Sequence, residues 1–267
     1  MPLKKAIIIG ASSDIGSALC DDWNLKNWEL VGTYRTKPDK FLHLSKILKS
    51  LVQCDLESKS SIDKACNKLN GSIVNWDVLV FGPGLLDPIG LFSECNFDVW
   101  EKSITVNFTN QLRLLRLLLP HRKKQSLDGP TVLFFAGGGV NDAPTHYSAY
   151  TVSKIAMIKM VELLATEMPD VKFIIIGPGW VKTKIHESTL NAKDLAGLNY
   201  ERTLQKLKDD TFTPMKKIVD CCNVLIAESR EIFSGRNFSV AFDDWDNPNF
   251  KDFLNNPNTY KLRRYKG

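Results

Sequence analysis

The chain has 267 residues, which suits one large α/β domain or two small ones, and its hydrophobic fraction of 43% is ample for a packed core. The formal net charge is +5, but residues 251–267 hold five basic residues and one acidic residue, so the remainder carries only about +1. This distribution gives no basic face for nucleic acid, and we expect no nucleic-acid partner.

The six cysteines form no C-x-x-C pair and no zinc spacing with histidine, so we predict no metal site. Reduced, cytoplasmic thiols are the simplest interpretation. The apolar run Ala6–Ile9 ends at Gly10 and is too short for a signal or membrane segment. We therefore expect a cytoplasmic protein without a membrane span.

Short apolar runs alternate with helical patterns along the chain, and most runs are apolar at consecutive positions, as in strands covered on both faces. This alternation predicts an α/β fold: a single-domain, doubly wound Rossmann-type parallel sheet of about seven strands, with helices on both faces. The predicted strands are Ala6–Gly10, Glu29–Tyr34, Leu51–Cys54, Asp77–Gly82, Thr131–Ala136, Lys172–Gly177 and Phe238–Phe242. The predicted helices are Ile15–Lys26, Phe41–Lys49, Ser60–Leu69, Trp100–Leu119, Ser148–Glu167 and Thr213–Glu228.

Two segments depart from the alternation in this domain of residues 1–249. Residues 184–211 are polar, and we predict a helical insertion that forms a lid over the carboxyl edge of the sheet, with a plain surface excursion as the alternative. Residues 250–267 are a basic tail. Solvation of this tail is the simplest interpretation, and binding to an acidic surface is the alternative.

The stretch Gly10-Ala-Ser-Ser-Asp-Ile-Gly16 directly follows the first strand. A tight turn from a first strand into a helix presents backbone N–H groups and a positive dipole end to a pyrophosphate. Gly10 permits the turn, and Gly16 lets the helix lie close to the strand. An ordinary β–α turn is the alternative. The predicted binding residues are Gly10, Ser12, Ser13, Asp14, Ile15 and Gly16.

Tyr150 and Lys154 are four residues apart on a predicted helix and share one face. Reduction of a carbonyl needs a hydride donor and an acid for the developing alkoxide. A lysine ammonium within ~4–6 Å can lower the phenol pKa from ~10 by roughly 1–3 units. The spacing therefore predicts a proton-transfer pair, and an exposed Tyr and Lys on one helix face is the alternative.

Gly-Ala-Ser-Ser-x-Ile-Gly after the first strand, followed by Tyr-x-x-x-Lys near the middle of the chain, resembles the short-chain dehydrogenases/reductases over about residues 4–245. The resemblance implies a homodimeric or homotetrameric oxidoreductase. Tyr150 would act as the acid/base, and Lys154 would lower the pKa of the Tyr150 phenol. The resemblance also implies that Asn107 organises a water relay to that lysine, although capping or kinking of the helix is an alternative. Asp14 replaces a family glycine, and we expect its side chain to cap the helix and point away from the phosphates.

The resemblance extends to further cofactor contacts. Asp55 and Leu56 match the family's adenine-contacting pair, and Gly82-Pro83-Gly84 stands where the family has part of Asn-Asn-Ala-Gly. Pro178, Gly179, Val181 and Thr183 match the motif that holds the nicotinamide carboxamide.

The second strand ends at Arg35 rather than at an acidic residue that would favour NAD(H). A guanidinium can pair with a 2′-phosphate, so we predict NADP(H) in preference to NAD(H). A solvent-facing arginine is the alternative.

The family serine that polarises the carbonyl falls at Gly137, which has no donor. Losing one preorganised donor costs roughly 3–4 kcal/mol, or 10²–10³ in rate. The glycine run alternatively leaves room for a bulky substrate. Candidate substitutes for the serine are Asn141, Thr145, His146 and Ser148.

Asp243-Asp244-Trp245 resembles reductases encoded with surface-polysaccharide genes, which makes a sugar or polysaccharide precursor a candidate substrate. The alternative is that Trp245 seals the core or an oligomer contact. The apolar stretch Leu112–Leu119 predicts a subunit contact.

We expect an NADP(H)-dependent carbonyl reductase or alcohol dehydrogenase acting on a small molecule. A catalytically weak or inactive NADP(H)-binding sensor or scaffold is the alternative, motivated by Gly137 and the altered loop Phe81–Gly84. A sugar-nucleotide epimerase or dehydratase fits poorly, since its relatives usually have another glycine spacing.

Overall fold

The structure, a computed structural model, describes residues 3–124 and 128–264. Seven strands pair in parallel in the order β3-β2-β1-β4-β5-β6-β7, which confirms the predicted doubly wound sheet. The strands are β1 Lys5–Ile9, β2 Glu29–Tyr34, β3 Ser50–Gln53, β4 Val78–Phe81, β5 Thr131–Phe135, β6 Lys172–Gly177 and β7 Arg236–Ser239.

Helices cover the sheet on both faces. One π-helical turn, Thr105–Thr109, joins the fourth and fifth helices, and short 3₁₀ turns occupy Leu119–His121 and Lys193–Ala196. The helices are α1 Asp14–Leu25, α2 Phe41–Ile47, α3 Lys59–Ser72, α4 Phe97–Ile104, α5 Asn110–Leu118, α6 Ser148–Glu167, α7 Ile185–Ala192, α8 Leu198–Asp209, α9 Met215–Ala227, α10 Arg230–Phe233 and α11 Phe250–Phe253.

Alternate residues of the first six strands enter opposite core clusters. On β1, Ile8 joins the cluster that contains Trp23 of α1, whereas Ile7 joins the cluster that contains Leu69 of α3. Because both faces are buried, the strand has no polar face, which explains its run of consecutive apolar residues.

The chain changes direction across the sheet at β1, whose neighbours are β2 on one side and β4 on the other. The loops that leave the adjacent strands β1 and β4 therefore run in opposite directions at the carboxyl ends of the strands, and a crevice opens between them. The loops after β1, β4, β5 and β6 line this crevice.

The predicted last strand, Phe238–Phe242, lies too late in the chain, because β7 begins at the buried Arg236. A charged residue is unexpected in a core strand, but this guanidinium is satisfied. It donates hydrogen bonds of 2.7–3.2 Å to the carbonyls of Ile232, Leu254, Asn256 and Thr259.

The basic segment packs against the sheet. The backbone N–H of Asn237 in β7 donates to the carbonyl of Tyr260, and Arg263 forms a double ion pair with Glu162 of α6. That pair lowers the Glu162 pKa to about 2. These contacts attach residues 250–264 to the sheet, while most of their side chains remain exposed. The solvation of the basic tail stays a prediction. Residues 1–2 and 265–267 of the predicted domain and tail lie outside the described residues.

Neither a helix that could cross a membrane nor a group of His, Cys, Asp or Glu that could hold a metal ion occurs within residues 3–124 and 128–264. All six cysteines are free thiols.

Candidate functional site

The turn after β1 is held by short hydrogen bonds. Gly10 has a φ of +76°, and its N–H donates to Thr33 Oγ1 at 2.9 Å. Ser13 caps α1, since its Oγ accepts from the Gly16 N–H at 3.1 Å. A Cβ at position 16 would collide with the Gly10 carbonyl, so only glycine lets the helix start this close to the strand.

Asp14 does not cap the helix, contrary to expectation, because Ser13 holds that position. The Asp14 carboxylate instead accepts from the backbone N–H of Lys184 at 3.1 Å. It thereby joins the turn after β1 to the residue that precedes α7.

The other end of the crevice contains the predicted adenosine contacts. Arg35 is exposed and lines the crevice at the end of β2. Asp55 also lines it, and its Oδ1 accepts from the Glu57 N–H at 3.0 Å. Since Ser58 is the N-cap of α3, the alternative role of Asp55 as that helix cap is wrong.

Asn107 lies in the π-helical turn, is fully buried and holds the loop after β4. Its Oδ1 accepts from the Leu85 N–H at 2.8 Å, and its Nδ2 donates to the Leu85 carbonyl at 2.7 Å. The structure therefore gives the side-chain amide a scaffolding contact behind the crevice.

Tyr150 and Lys154 project from α6 into the crevice. Lys154 Nζ donates to the Phe135 carbonyl at 2.8 Å and lies 5.6 Å from the centroid of the Tyr150 ring. Burial raises the Tyr150 pKa to about 12 and lowers the Lys154 pKa to about 8. The expected lowering of the phenol pKa by the lysine is wrong for the protein alone, because desolvation disfavours the charged form of each group.

Gly137 lies against Tyr150. A Cβ at position 137 would lie 2.6 Å from Tyr150 Cε1 and 2.7 Å from its Oη, so the phenol occupies the space of a side chain there. Asn141 is the one predicted substitute donor that lines the crevice among the described residues, and it is exposed. The Ser148 Oγ accepts from the Trp100 indole at 3.0 Å, and His146 Nδ1 contacts Thr145 Oγ1 at 2.9 Å.

The loop after β6 is also closely held. Gly179 has a φ of +77°, and the Trp180 carbonyl accepts from the Thr213 N–H at 2.6 Å. His186 Nε2 lies 2.8 Å from the Val181 carbonyl, and its ring stacks on Trp180 with centroids 5.3 Å apart. These contacts fix the start of the segment from Lys184 onward, part of which lines the crevice. Its role as a lid stays a prediction.

Together these elements form one cleft of about 1410 Å³. It brings together all the predicted site residues except Gly16 and Asn107, which lie behind its wall. Their individual roles stay predictions.

No sequence motif indicated the residues at the end of the cleft opposite the predicted adenosine contacts, here called the far end. Tyr147 and Thr189 line it, and their hydroxyl oxygens lie 2.9 Å apart. An apolar cluster of Leu86, Ile89 and Ala196 lies beside them, and Tyr147, Tyr150 and Ile185 pack on it. Tyr147 precedes Tyr150 by three residues, and this closeness to the Tyr-x-x-x-Lys motif was the one available signal.

Trp245 does not present its indole to the cleft. It is 5% exposed, and its Nε1 donates to the Val240 carbonyl at 3.2 Å. It belongs to the core, as the alternative interpretation had it. The sugar hypothesis therefore loses the support of this residue.

The short chain dehydrogenase family model matches residues 4–194, more than half of the chain. The chain belongs to the short-chain dehydrogenases/reductases. Members of this family are oxidoreductases that use nicotinamide cofactors.

Individual relatives are distant. An uncharacterized oxidoreductase of Schizosaccharomyces pombe is 25% identical over 199 residues, which cover 70% of this chain and 75% of the relative. A benzil reductase of Saccharomyces cerevisiae is 26% identical over 171 residues, covering 61% and 65%. A solved short-chain dehydrogenase/reductase from Saccharomyces cerevisiae matches with a TM-score of 0.78 at 21% identity, covering 94% of this chain and 99% of that one, which shows the shared fold.

Proposed function

We propose that this protein is an NADP(H)-dependent reductase of carbonyl compounds, working in reverse as an alcohol dehydrogenase. The observation that carries the proposal is the shared cleft: Tyr150 and Lys154 project into the same space as the phosphate-binding turn after β1. When bound there, a reduced nicotinamide supplies the hydride. Tyr150 supplies the proton to the carbonyl oxygen, and the Lys154 ammonium stabilises the phenolate that remains.

Arg35 supports the preference for NADP(H). Its exposed guanidinium lines the cleft at the end of β2, where a 2′-phosphate can accept charge-assisted hydrogen bonds. Such bonds contribute about 1.5–3 kcal/mol, so Arg35→Ala should reduce the preference for NADPH over NADH about 10- to 100-fold. Lys37→Ala is the matched control, because the Lys37 ammonium lies over the Phe41 ring, 4.9 Å from its centroid. An unchanged cofactor preference in Arg35→Ala would refute the assignment.

The side chains of Leu86, Tyr147 and Ile185, which line the far end of the cleft, support a substrate whose carbonyl carries an apolar or aromatic group. The benzil reductase among the relatives acts, by its name, on an aromatic diketone. A sugar or polysaccharide precursor stays the second candidate, favoured by Asp243, whose carboxylate lines the cleft.

The deciding experiment mixes the purified protein with NADPH and a panel of aromatic diketones, aliphatic ketones, aldehydes and keto-sugars. Cofactor absorbance is followed for the wild type and for Tyr150→Phe. Turnover that depends on Tyr150 supports a reductase, and the best substrate names its class. Tight NADPH binding by both proteins with no turnover in either would instead support the sensor or scaffold.

The proposal includes a homodimer or homotetramer. Phe97 of α4 is 55% exposed, and Val152 and Leu163 of α6 are 52% and 47% exposed, so association of copies would remove apolar surface from water. Light scattering on the purified protein measures the mass directly, and a monomer at micromolar concentration would contradict this part.

A further inference from the structure

The carbonyl oxygen of a substrate gains negative charge as the hydride arrives, and a second hydrogen-bond donor beside the acid stabilises that charge. Gly137, Gly138 and Gly139 provide no side-chain donor beside Tyr150. The Tyr150 ring already fills the space at position 137. A second side-chain donor must therefore come from another part of the cleft wall.

Tyr147 meets the geometric requirements. It is the residue that precedes α6, three positions before Tyr150, and it lines the same cleft and packs on the same apolar cluster of Leu86, Ile89 and Ala196. Both phenol side chains thus line one end of the cleft, where the proposed apolar substrate would lie.

The partner of Tyr147 leaves its proton available. A hydroxyl donates one hydrogen bond and accepts two. Thr189 Oγ1 lies 2.9 Å from Tyr147 Oη, and Thr189 is 2% exposed. When Thr189 donates to Tyr147, the Tyr147 proton is free to point into the cleft. Burial also raises the Tyr147 pKa above its ordinary value, so the phenol stays protonated at neutral pH.

We propose that the Tyr147 hydroxyl donates a hydrogen bond to the substrate carbonyl oxygen while Thr189 donates in turn to the Tyr147 oxygen. The inference rests on the proposed reductase function. In the reduction, the carbonyl carbon gains the hydride, the carbonyl oxygen gains the Tyr150 proton, and Tyr147 keeps its own proton. Tyr147 is thus a catalytic residue that polarises the carbonyl.

The experiment compares Tyr147→Phe with Tyr200→Phe. Tyr200 packs on the same apolar cluster, but it is not among the described residues that line the cleft, so it controls for loss of a phenol hydroxyl near the lid. We expect Tyr147→Phe to lower kcat about 10²- to 10³-fold with the best ketone. Its deuterium isotope effect with labelled NADPH should rise, because hydride transfer becomes rate-limiting. Tyr200→Phe should retain wild-type kinetics.

Thr189→Val separates catalysis from anchoring of the lid. It keeps the Tyr147 hydroxyl and removes the partner, so kcat should fall only a few-fold. The Kd of the ketone in the unreactive complex with NADP⁺, measured by calorimetry, should change less than about 3-fold in Tyr147→Phe, because the lost bond strengthens mainly as charge develops.

Equal losses in Tyr147→Phe and Thr189→Val, seen in the ketone Kd rather than in kcat, would show that the pair only anchors the lid and would overturn the proposal. Wild-type kinetics in Tyr147→Phe would also overturn it while leaving the reductase function intact. A wild-type protein that binds NADPH and reduces no member of the panel would overturn the reductase function itself, and the role of Tyr147 with it.

Discussion

Two buried lysines have similar pKa values but different hydrogen-bond partners: Lys154 beside the cleft and Lys172 at the start of β6. Burial lowers the pKa of both to about 8. The Lys172 ammonium donates to three carbonyls at the end of α9, those of Leu225, Ile226 and Glu228, at 3.1, 2.8 and 2.5 Å. The Lys154 ammonium donates to one carbonyl among the described residues, that of Phe135.

The difference lies in how many N–H groups remain. An ammonium has three, so Lys172 is saturated by the fold, whereas Lys154 keeps two for the cleft that it lines. A shifted pKa alone therefore does not distinguish a lysine that holds a helix end from one available to a ligand. The two lysines are distinguished by how many of their ammonium N–H groups donate to carbonyls of the described residues.

The largest expected effect is on activity at the cleft. Lys154→Met should lower kcat about 10²- to 10⁴-fold with the best ketone, because the phenolate of Tyr150 loses its neighbouring charge. The free energy of unfolding should fall by no more than about 1–3 kcal/mol, since only the Phe135 carbonyl loses its donor. NADPH oxidation and urea unfolding measure the two quantities. A loss of stability in Lys154→Met as large as that expected for Lys172→Met would contradict the proposed difference between the two lysines.

Lys172→Met should act in the opposite way. It leaves two buried carbonyls and one part-buried carbonyl without their donor. A buried carbonyl without a partner costs about 1–3 kcal/mol, so the free energy of unfolding should fall by about 3 kcal/mol or more. The kcat of the folded fraction should stay within a few-fold of wild type. Urea unfolding and kinetics at low temperature check this, and a loss of kcat without loss of stability would contradict it.

Gly137→Ser tests whether the cleft can accommodate a side chain beside Tyr150. A serine supplies the hydroxyl that the family pattern would place there, but its Cβ meets the Tyr150 ring, so the phenol must move away. We expect kcat to fall about 10-fold, since small displacements of reacting groups are costly. Gly138→Ser is the control, because a Cβ at position 138 has no described neighbour within 4 Å. A Gly137→Ser protein faster than wild type would reverse the interpretation.

The smallest effect is in the pH dependence. Between about pH 8 and the ordinary lysine pKa near 10.5, the native state has lost the Lys172 proton while the unfolded state still binds it. The unfolded state then binds more protons than the native state. The contribution of Lys172 to the free energy of unfolding therefore rises with pH between these two values. The difference in unfolding free energy between wild type and Lys172→Met should therefore widen from pH 8 to pH 10. Urea unfolding at both values tests the sign, and a narrowing difference would refute it.

The sheet was predictable because most strands carry consecutive apolar residues: β2 and β6 have the predicted bounds. The last strand was misplaced because the burial of Arg236 depends on four distant carbonyls, and hydrophobicity along the chain does not report them. The motifs after β1, β4 and β6 made it predictable that the loops after these strands line the cleft. Tyr147 and Thr189 were not, because their 2.9 Å contact joins residues 42 apart in segments without a motif.

The hydrogen bond from Asn237 to Tyr260 has a consequence for how the protein is made. β7 is the outermost strand, and its open edge is covered by residues encoded more than twenty positions downstream. A nascent chain that has emerged only through β7 carries an uncovered strand edge and an Arg236 guanidinium without three of its four carbonyl partners. Uncovered edges recruit strands from other chains, so a ribosome that stalls within this interval leaves an aggregation-prone product.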